Sequence, residues 1–447
     1  MHISTVIQKK VFNFALDYMD KEPDKNIPRL MKIAEKINVS EELERPLAAT
    51  RKVIEDPENI WYKLIKSFWT DIDDEVRRTA LRNFLINGAL LGVRQQNDIG
   101  EREGIQVPWN MQIDVTSACN LRCKGCWAAD YGKSLNLSYE DLDSIVTQGE
   151  AMHTHYYIFS GGEPLMRKKD IIRICENHPD SMFMAFTNAT LVDEAFAEEM
   201  LRVKNLVLTV SVEGIGESTD FRRGEGTYDA CVKAMEILKR KKLIFGLSCC
   251  YTSQTCEMIG SKEWYDKMIA WGAKYAWFFL YMPVGNSAQP ELMVSAGQRK
   301  WMYDQVHAFR KTHGIFVLDF WNDGEYVDGC IAAGREYLHI NAAGDIELCA
   351  FIHYADHNIH EHTIKEALHG PLFQAYKEGQ PFNKNPLRPC PLLDNPDELR
   401  RMVQETGAKS TDLQSPEDVG HLTDKTRAKA EEWARVADEI ILKNASH

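Results

Sequence analysis

The sequence predicts an α/β protein: a partial (β/α)6, TIM-like barrel between a helical N-terminal region and a small α+β, cysteine-containing C-terminal extension. Three observations lead there. Residues 1 to about 100 repeat apolar side chains at three- and four-residue spacing, and residues 108–310 alternate short β-rich runs with longer amphipathic ones. Beyond 311, cysteines stand at 330, 349 and 390 around a turn-forming stretch. Strands alternating with helices imply a parallel sheet built of βαβ units.

In the N-terminal region, Val6, Val11, Phe12, Ala15 and Leu16 fall on one helical face. Pro23 and Pro28 are expected to break that run, with further helical patterns near 29–38 and 75–93. The polar stretch QQNDIGEREG, 95–104, reads as a linker. The runs MQIDVT (111–116), YYIFS (156–160), FMAFT (183–187), NLVLTVSV (205–212), LIFGLSCCY (243–251) and YAWFFLYM (275–282) read as buried strands. Helical patterns separate them, as in SYEDLDSIVTQGEAM, where Ser138 precedes acidic residues as an N-cap does. Chemistry on such a sheet belongs at the strands' C-terminal ends. The extension covers about 311–400, with NAAGD (341–345) as a hairpin turn. A helical tail follows over 401–447, in which Ala430, Trp433, Val436 and Ile440 share a face.

Composition limits the function. The 447 residues carry 53 Lys+Arg against 66 Asp+Glu, a net charge of −13, which argues against a nucleic-acid partner held by a broad basic surface. The longest nearly apolar stretch, 84–93, is interrupted by Asn87 and Gly88 and is far short of a membrane span. The opening MHISTVIQKK lacks the apolar core of a secretory signal, so a cytoplasmic location is expected. Eleven cysteines, an odd number in a long chain of this kind, then point to metal binding or redox chemistry rather than a disulfide framework.

The strongest chemical signal is Cys119-Asn-Leu-Arg-Cys123-Lys-Gly-Cys126, just after the first strand. Three thiolates in eight residues can hold three irons of a [4Fe–4S] cluster and leave the fourth open to another ligand. The competing reading is a structural zinc site, which normally closes with four ligands. A non-enzymatic iron–sulfur or zinc-binding protein is the alternative of another class.

Placed after the first strand of a (β/α) region, this CxxxCxxC resembles the radical S-adenosylmethionine superfamily. The resemblance implies that S-adenosylmethionine binds the open iron and is cleaved reductively to a 5′-deoxyadenosyl radical, which takes hydrogen from a substrate. Further residues match the family in order. Ser160-Gly161-Gly162-Glu163-Pro164 resembles its GGEP motif, which meets the methionyl amino group. Asn188, after Thr187, stands where the family has a TNG-like turn, with Ala189 in place of glycine. Ser211 and Glu213 resemble the ribose-contacting motif, Arg223-Gly224 fits the same pattern, and Met282-Pro283-Val284-Gly285 resembles the segment near the adenine. The resemblance thus implies cofactor contacts at Gly161, Gly162, Glu163, Pro164, Asn188, Ser211, Glu213, Arg223 and Met282. One departure is Gly125, where the family commonly has an aromatic residue; Trp127 instead follows the third cysteine.

The stretch CIAAGREYLHINAAGDIELC resembles the opening half of a SPASM/twitch extension, and HNIHEHTIKEALHGPLF resembles the helix-forming stretch after it. A full SPASM domain continues with a dense cysteine cluster, whereas here only Cys390 follows. Cys330, Cys349 and Cys390 are therefore expected to hold one auxiliary iron–sulfur cluster, the alternative being three inert buried thiols. Cysteines 175, 231, 249, 250 and 256 read as packing, and His353, His357, His360 and His362 as a surface or substrate-facing stretch. Tryptophans near the sixth strand are candidates to line a substrate cavity. No residue is assigned a catalytic role. The expected partners are an electron donor such as flavodoxin or ferredoxin and a substrate, with a peptide favoured over a lipid or small metabolite.

Overall fold

The computed structural model describes residues 5–36 and 50–444. Helices Thr5–Lys21, Pro23–Lys36, Ile60–Thr70 and Asp74–Ala80 form the N-terminal region, so the two last residues of the 29–38 pattern lie outside the described ones. Pro23 opens the second helix, where its missing N–H costs nothing. Pro28 does not break it: it lies inside, near enough to the start to remove a single hydrogen bond. The region continues through a wide, π-type helix, Leu81–Gly92, into Val93–Glu103. The expected linker at 95–104 is thus helical up to Gly104, whose left-handed φ of 73° ends it. Its polar composition has a tertiary cause: buried Gln96 donates to the carbonyls of Pro108 and His153.

The six expected strands are β1 (Asn110–Thr116), β2 (Tyr156–Gly161), β3 (Met182–Thr187), β4 (Leu206–Ser211), β5 (Phe245–Tyr251) and β6 (Tyr275–Leu280). Each pairs in parallel with the next. A further parallel strand, β7 (Phe316–Asp319), extends the array beyond β6. At the other edge β8 (Tyr337–Ile340) runs parallel to β1, then turns at NAAGD into antiparallel β9 (Ile346–Glu347). The sheet therefore reads β7-β6-β5-β4-β3-β2-β1-β8-β9, with the cysteine-containing extension continuing the barrel's own sheet. Asn341 shapes the hairpin by accepting from the N–H groups of Ala343 and Asp345, and Gly344 supplies the φ of 88° that the turn needs.

Helices cover the outer face of the sheet. Tyr139–Ala151 starts at Ser138 with a reciprocal capping box to Asp141, as the sequence indicates. Beyond the hairpin come Ile364–Leu368, Pro371–Gly379 and Pro396–Thr406, then the long helix Val419–Asn444. The last buries Ala430, Trp433 and Ile440, with Val436 packed at the margin and the Trp433 indole donating to the Leu387 carbonyl. Among the described residues no helix is long and apolar enough to cross a membrane.

Candidate active site

The backbone after β2 holds the start of the cysteine loop, which follows β1. Gly162 donates to the Thr116 carbonyl at 2.8 Å, and Glu163 donates to the Ala118 carbonyl at 2.8 Å, three residues and one residue before Cys119. This approach requires glycine. A Cβ at Gly161 would stand 2.3 Å from the Thr116 oxygen, and one at Gly162 would stand 2.1 Å from the Ala118 oxygen. The end of β3 adds side-chain ties, with Asn188 donating to Asn120 at 2.8 Å and Asn120 to Thr190 at 2.7 Å. Asn188 Nδ2 also lies 3.9 Å from Cys119 Sγ. Ala189 adopts a left-handed φ of 61°, the conformation that glycine would take more readily.

Cys119, Cys123 and Cys126 are half-buried around one pocket, whose wall includes Gly161, Gly162, Asn188, Ser211, Arg223 and Met282. Three of the expected contacts do not reach that wall. Glu163 is buried behind it, accepting from Thr187 Oγ1 (2.6 Å), the Asn188 N–H (2.7 Å) and the Leu165 N–H (3.0 Å). Pro164 sits in the short turn that Glu163 caps. Glu213 is fully buried and binds Arg222 at 3.0 Å and Arg223 at 2.5 and 2.6 Å. The groups that face the pocket are therefore the two guanidiniums rather than the carboxylate. Arg223 Nη1 reaches Cys123 Sγ at 4.0 Å, and Arg222 Nη2 donates to the Gly125 carbonyl at 3.4 Å.

The Gly125 departure has a steric reason. Its φ is 61°, and a Cβ there would enter the Tyr281 ring, 2.3 Å from Cε2. An aromatic ring does stand beside the third cysteine, but it comes from just beyond β6 and lines the same pocket. Sequence reading missed Tyr281; a tyrosine beside the Met282 motif was the available signal. Trp127 also lines the pocket, edge-on to the His339 ring at 5.6 Å and the Phe351 ring at 5.9 Å.

Burial pushes the Cys119 thiol up to about 11 and raises Cys126, with neighbouring thiolates adding to both. Thiolates in this setting need positive charge, which Arg222, Arg223 and a metal cluster can supply. Among the described residues no three His, Cys, Asp or Glu side chains converge as they would around a single ion. The thiols are instead set around a pocket, an arrangement suited to separate corners of a larger group.

Residues 113–253 match the profile described as Radical SAM superfamily. The chain carries a radical SAM domain. The domain is 32% identical over 146 residues to Fe-coproporphyrin III synthase of Methanosarcina barkeri, covering 32% of this chain and 35% of that protein. It is 28% identical over 173 residues to a cysteine-type anaerobic sulfatase-maturating enzyme of Clostridium perfringens, covering 34% and 46%. The chain thus spans less than half the length of these curated relatives. Its fold is similar to that of Streptococcus suis SuiB bound to S-adenosylmethionine, with TM-score 0.55, 17% identity and coverage of 67% of this chain and 76% of that one. The cofactors of a radical SAM domain are a [4Fe–4S] cluster and S-adenosylmethionine. The donor set fits them, with three thiols, two guanidiniums and a glycine-lined approach on one pocket.

The three later cysteines meet at a second cavity of about 970 Å³ beneath the radical SAM pocket. Tyr337 Oη lies 2.6 Å from Cys349 Sγ, Tyr376 Oη lies 3.0 Å from Cys330 Sγ, and the Leu393 N–H points at Cys390 Sγ at 3.3 Å. Burial pushes Cys349 up to about 12, with the Cys330 charge contributing. Among the other cysteines, 175, 231, 249 and 256 are buried in the core, whereas Cys250 lines the radical SAM pocket. The histidine stretch is not uniformly outward-facing: His353 is buried, bound to Asp412 at 2.7 Å, and His357 pairs with Asp356 at 2.8 Å. Trp277 of β6 lines both cavities.

Proposed function

We propose that the protein is a radical S-adenosylmethionine enzyme that abstracts hydrogen from an organic substrate held below the cluster pocket. The observation that supports it most is the set of three cysteines around a pocket walled by the glycines after β2, Asn188 after β3, Ser211 of β4 and Met282 after β6. A [4Fe–4S] cluster and S-adenosylmethionine bound there would supply one-electron reductive cleavage of the sulfonium and, through it, hydrogen-atom abstraction from the substrate.

The chain's own residues bind, orient and exclude water. Cys119, Cys123 and Cys126 would hold three irons of the cluster. The backbone of Gly161 and Gly162 lies open to the cofactor because nothing larger fits against the cysteine loop. Arg222 and Arg223, fixed by Glu213, offset the thiolates' negative charge. Phe186, Trp277 and Phe279 give the pocket an apolar floor, from which water is displaced. Cys330, Cys349 and Cys390, which line one cavity, would hold an auxiliary cluster, and a small carrier such as flavodoxin or ferredoxin would deliver the electron.

The names of relatives, a sulfatase-maturating enzyme and SuiB, which binds a precursor peptide, support a peptide as substrate. A lipid or small metabolite is the second reading, favoured by the apolar lining of the 970 Å³ cavity. The reaction is tested by anaerobic reconstitution, reduction with dithionite and assay of 5′-deoxyadenosine. Formation in the wild type and its absence in Cys123→Ala are expected. Reconstituted, reduced protein that binds iron but leaves S-adenosylmethionine intact would be a non-enzymatic metal protein.

A further inference from the structure

The cavity beneath the radical SAM pocket is lined mostly by apolar side chains, with Cys330, Cys349 and Cys390 in one part of its wall. It takes in residues at or beside the N-terminal ends of the strands, such as Tyr156, Met182, Ile244 and Tyr275, and runs up the inside of the array. Tyr275, Trp277 and Met282 all line it, and β6 between them, Tyr275–Leu280, spans roughly 17 Å at about 3.3 Å per residue. Its upper wall, with Trp277, Met282, Phe320 and Phe351, is shared with the radical SAM pocket. The space is long and ends at the chemistry.

Its rim is apolar too. Phe84 and Leu85 of the wide helix are 38% and 43% exposed, and Phe316, Tyr326 and Val327 are 49%, 63% and 39% exposed. All five line the cavity. Exposed apolar groups of this size on the lining of one cavity mark a binding site for something apolar. Six charged side chains line the cavity: Arg77 pairs with Asp20 and Asp74, Lys274 with Asp71, Asp323 with Arg310, and Arg335 donates to the carbonyls of Val327, Asp328 and Cys330, while Asp328 and Glu336 add carboxylates on that one side.

We propose that this cavity binds a single long alkyl chain, that of an acyl lipid, inserted from the rim at Phe84 and Val327 with a methylene carbon brought to the shared aromatic wall. A length of roughly 17 Å along β6 is close to that of such a chain, since one leaflet of a ~30 Å bilayer core holds chains spanning about 15 Å. A peptide segment of that length would bury backbone N–H and C=O groups against a wall offering few partners, whereas an alkyl chain needs none. As the identity of the substrate, the chain rests on the radical-enzyme reading; as a binding site it stands on the cavity alone.

The test uses the full-length, cluster-loaded protein and cis-parinaric acid, a fluorescent long-chain fatty acid, with palmitic acid and a capped Leu/Phe-rich peptide as competitors. Saturable binding displaced by palmitic acid is expected, weakened at least tenfold in Leu85→Arg and in Val327→Arg, with circular dichroism and iron content as controls for folding. Absence of saturable binding, equal affinity in both rim variants, or displacement by the peptide and not by palmitic acid would overturn the site. Formation of 5′-deoxyadenosine by the same wild-type preparation separates the two readings. Chain binding without cleavage overturns the radical chemistry alone, and cleavage without chain binding overturns the alkyl-chain site alone.

Discussion

Gly162 illustrates how much of the site depends on single atoms. A methyl group there would sit 2.1 Å from the Ala118 carbonyl oxygen, and backbone on both sides leaves the cysteine loop as the part that must move. Gly162→Ala is expected to keep the overall fold and displace Cys119. Because a ~1 Å misplacement of reacting groups costs about 10²-fold, 5′-deoxyadenosine formation should fall by about that factor, with less iron retained after reconstitution. Wild-type iron and turnover in this variant would show that the loop does not depend on the close approach. Glu213 makes a second case, since its carboxylate lies between two buried guanidiniums. Glu213→Ala leaves both charges unpaired, and a loss of about 3–5 kcal/mol is expected from chemical denaturation of the folded protein. The cysteines and the glycines were readable as motif letters. The roles of Glu163 and Glu213 were not, because a motif records which residue is present and not whether its carboxylate turns toward the pocket or away from it.

The strands were the most readable elements: six apolar runs matched β1 to β6 with ends shifted by two residues or fewer. Buried parallel strands are apolar on both faces and are bounded by polar turns, so they stand out. β7 did not: it is four residues long and begins with an exposed Phe316, too short a run to show a period, whereas the equally short β8 was legible only as one arm of the NAAGD hairpin. The wide helix Leu81–Gly92 was legible as helical but not as π-type, because its anchors are distant in sequence. Asn83 donates to the carbonyls of Pro179 and Ser181, and Asn87 donates to that of Asp180. These bonds fix the helix to the loop before β3 and so set the position of Phe84 and Leu85 at the cavity rim. Asn83→Ala should destabilise the protein by about 1–3 kcal/mol by leaving two carbonyls without this partner. Hydrogen exchange should accelerate first over residues 81–92; unchanged protection there would mean that other contacts hold the helix.

Across the whole molecule, the C-terminal extension is joined to the barrel by a buried charged network rather than by apolar packing alone. His339 of β8 lies 3.0 Å from Asp114 of β1 through Nε2 and 2.6 Å from Glu347 of β9 through Nδ1. Glu347 also accepts from Tyr131 at 2.8 Å, Asn341 at 3.1 Å and Thr411 at 2.5 Å, and so gathers the segment after the cysteine loop and the strand region before the long helix onto one carboxylate. Burial alone would lower the pKa of His339, but the two carboxylates outweigh it and hold the imidazolium up to about 10. A histidine with a raised folded pKa contributes its full stability below the unfolded value near 6.5. That contribution declines as pH rises from about 6.5 and is gone above about 10. The free energy of unfolding should therefore fall across this range in the wild type. In His339→Gln the protein should be less stable at pH 6, and its stability should change less between pH 7 and 10. Parallel curves for the two proteins over that interval, measured by urea unfolding, would show that the junction between barrel and extension does not depend on the His339 charge.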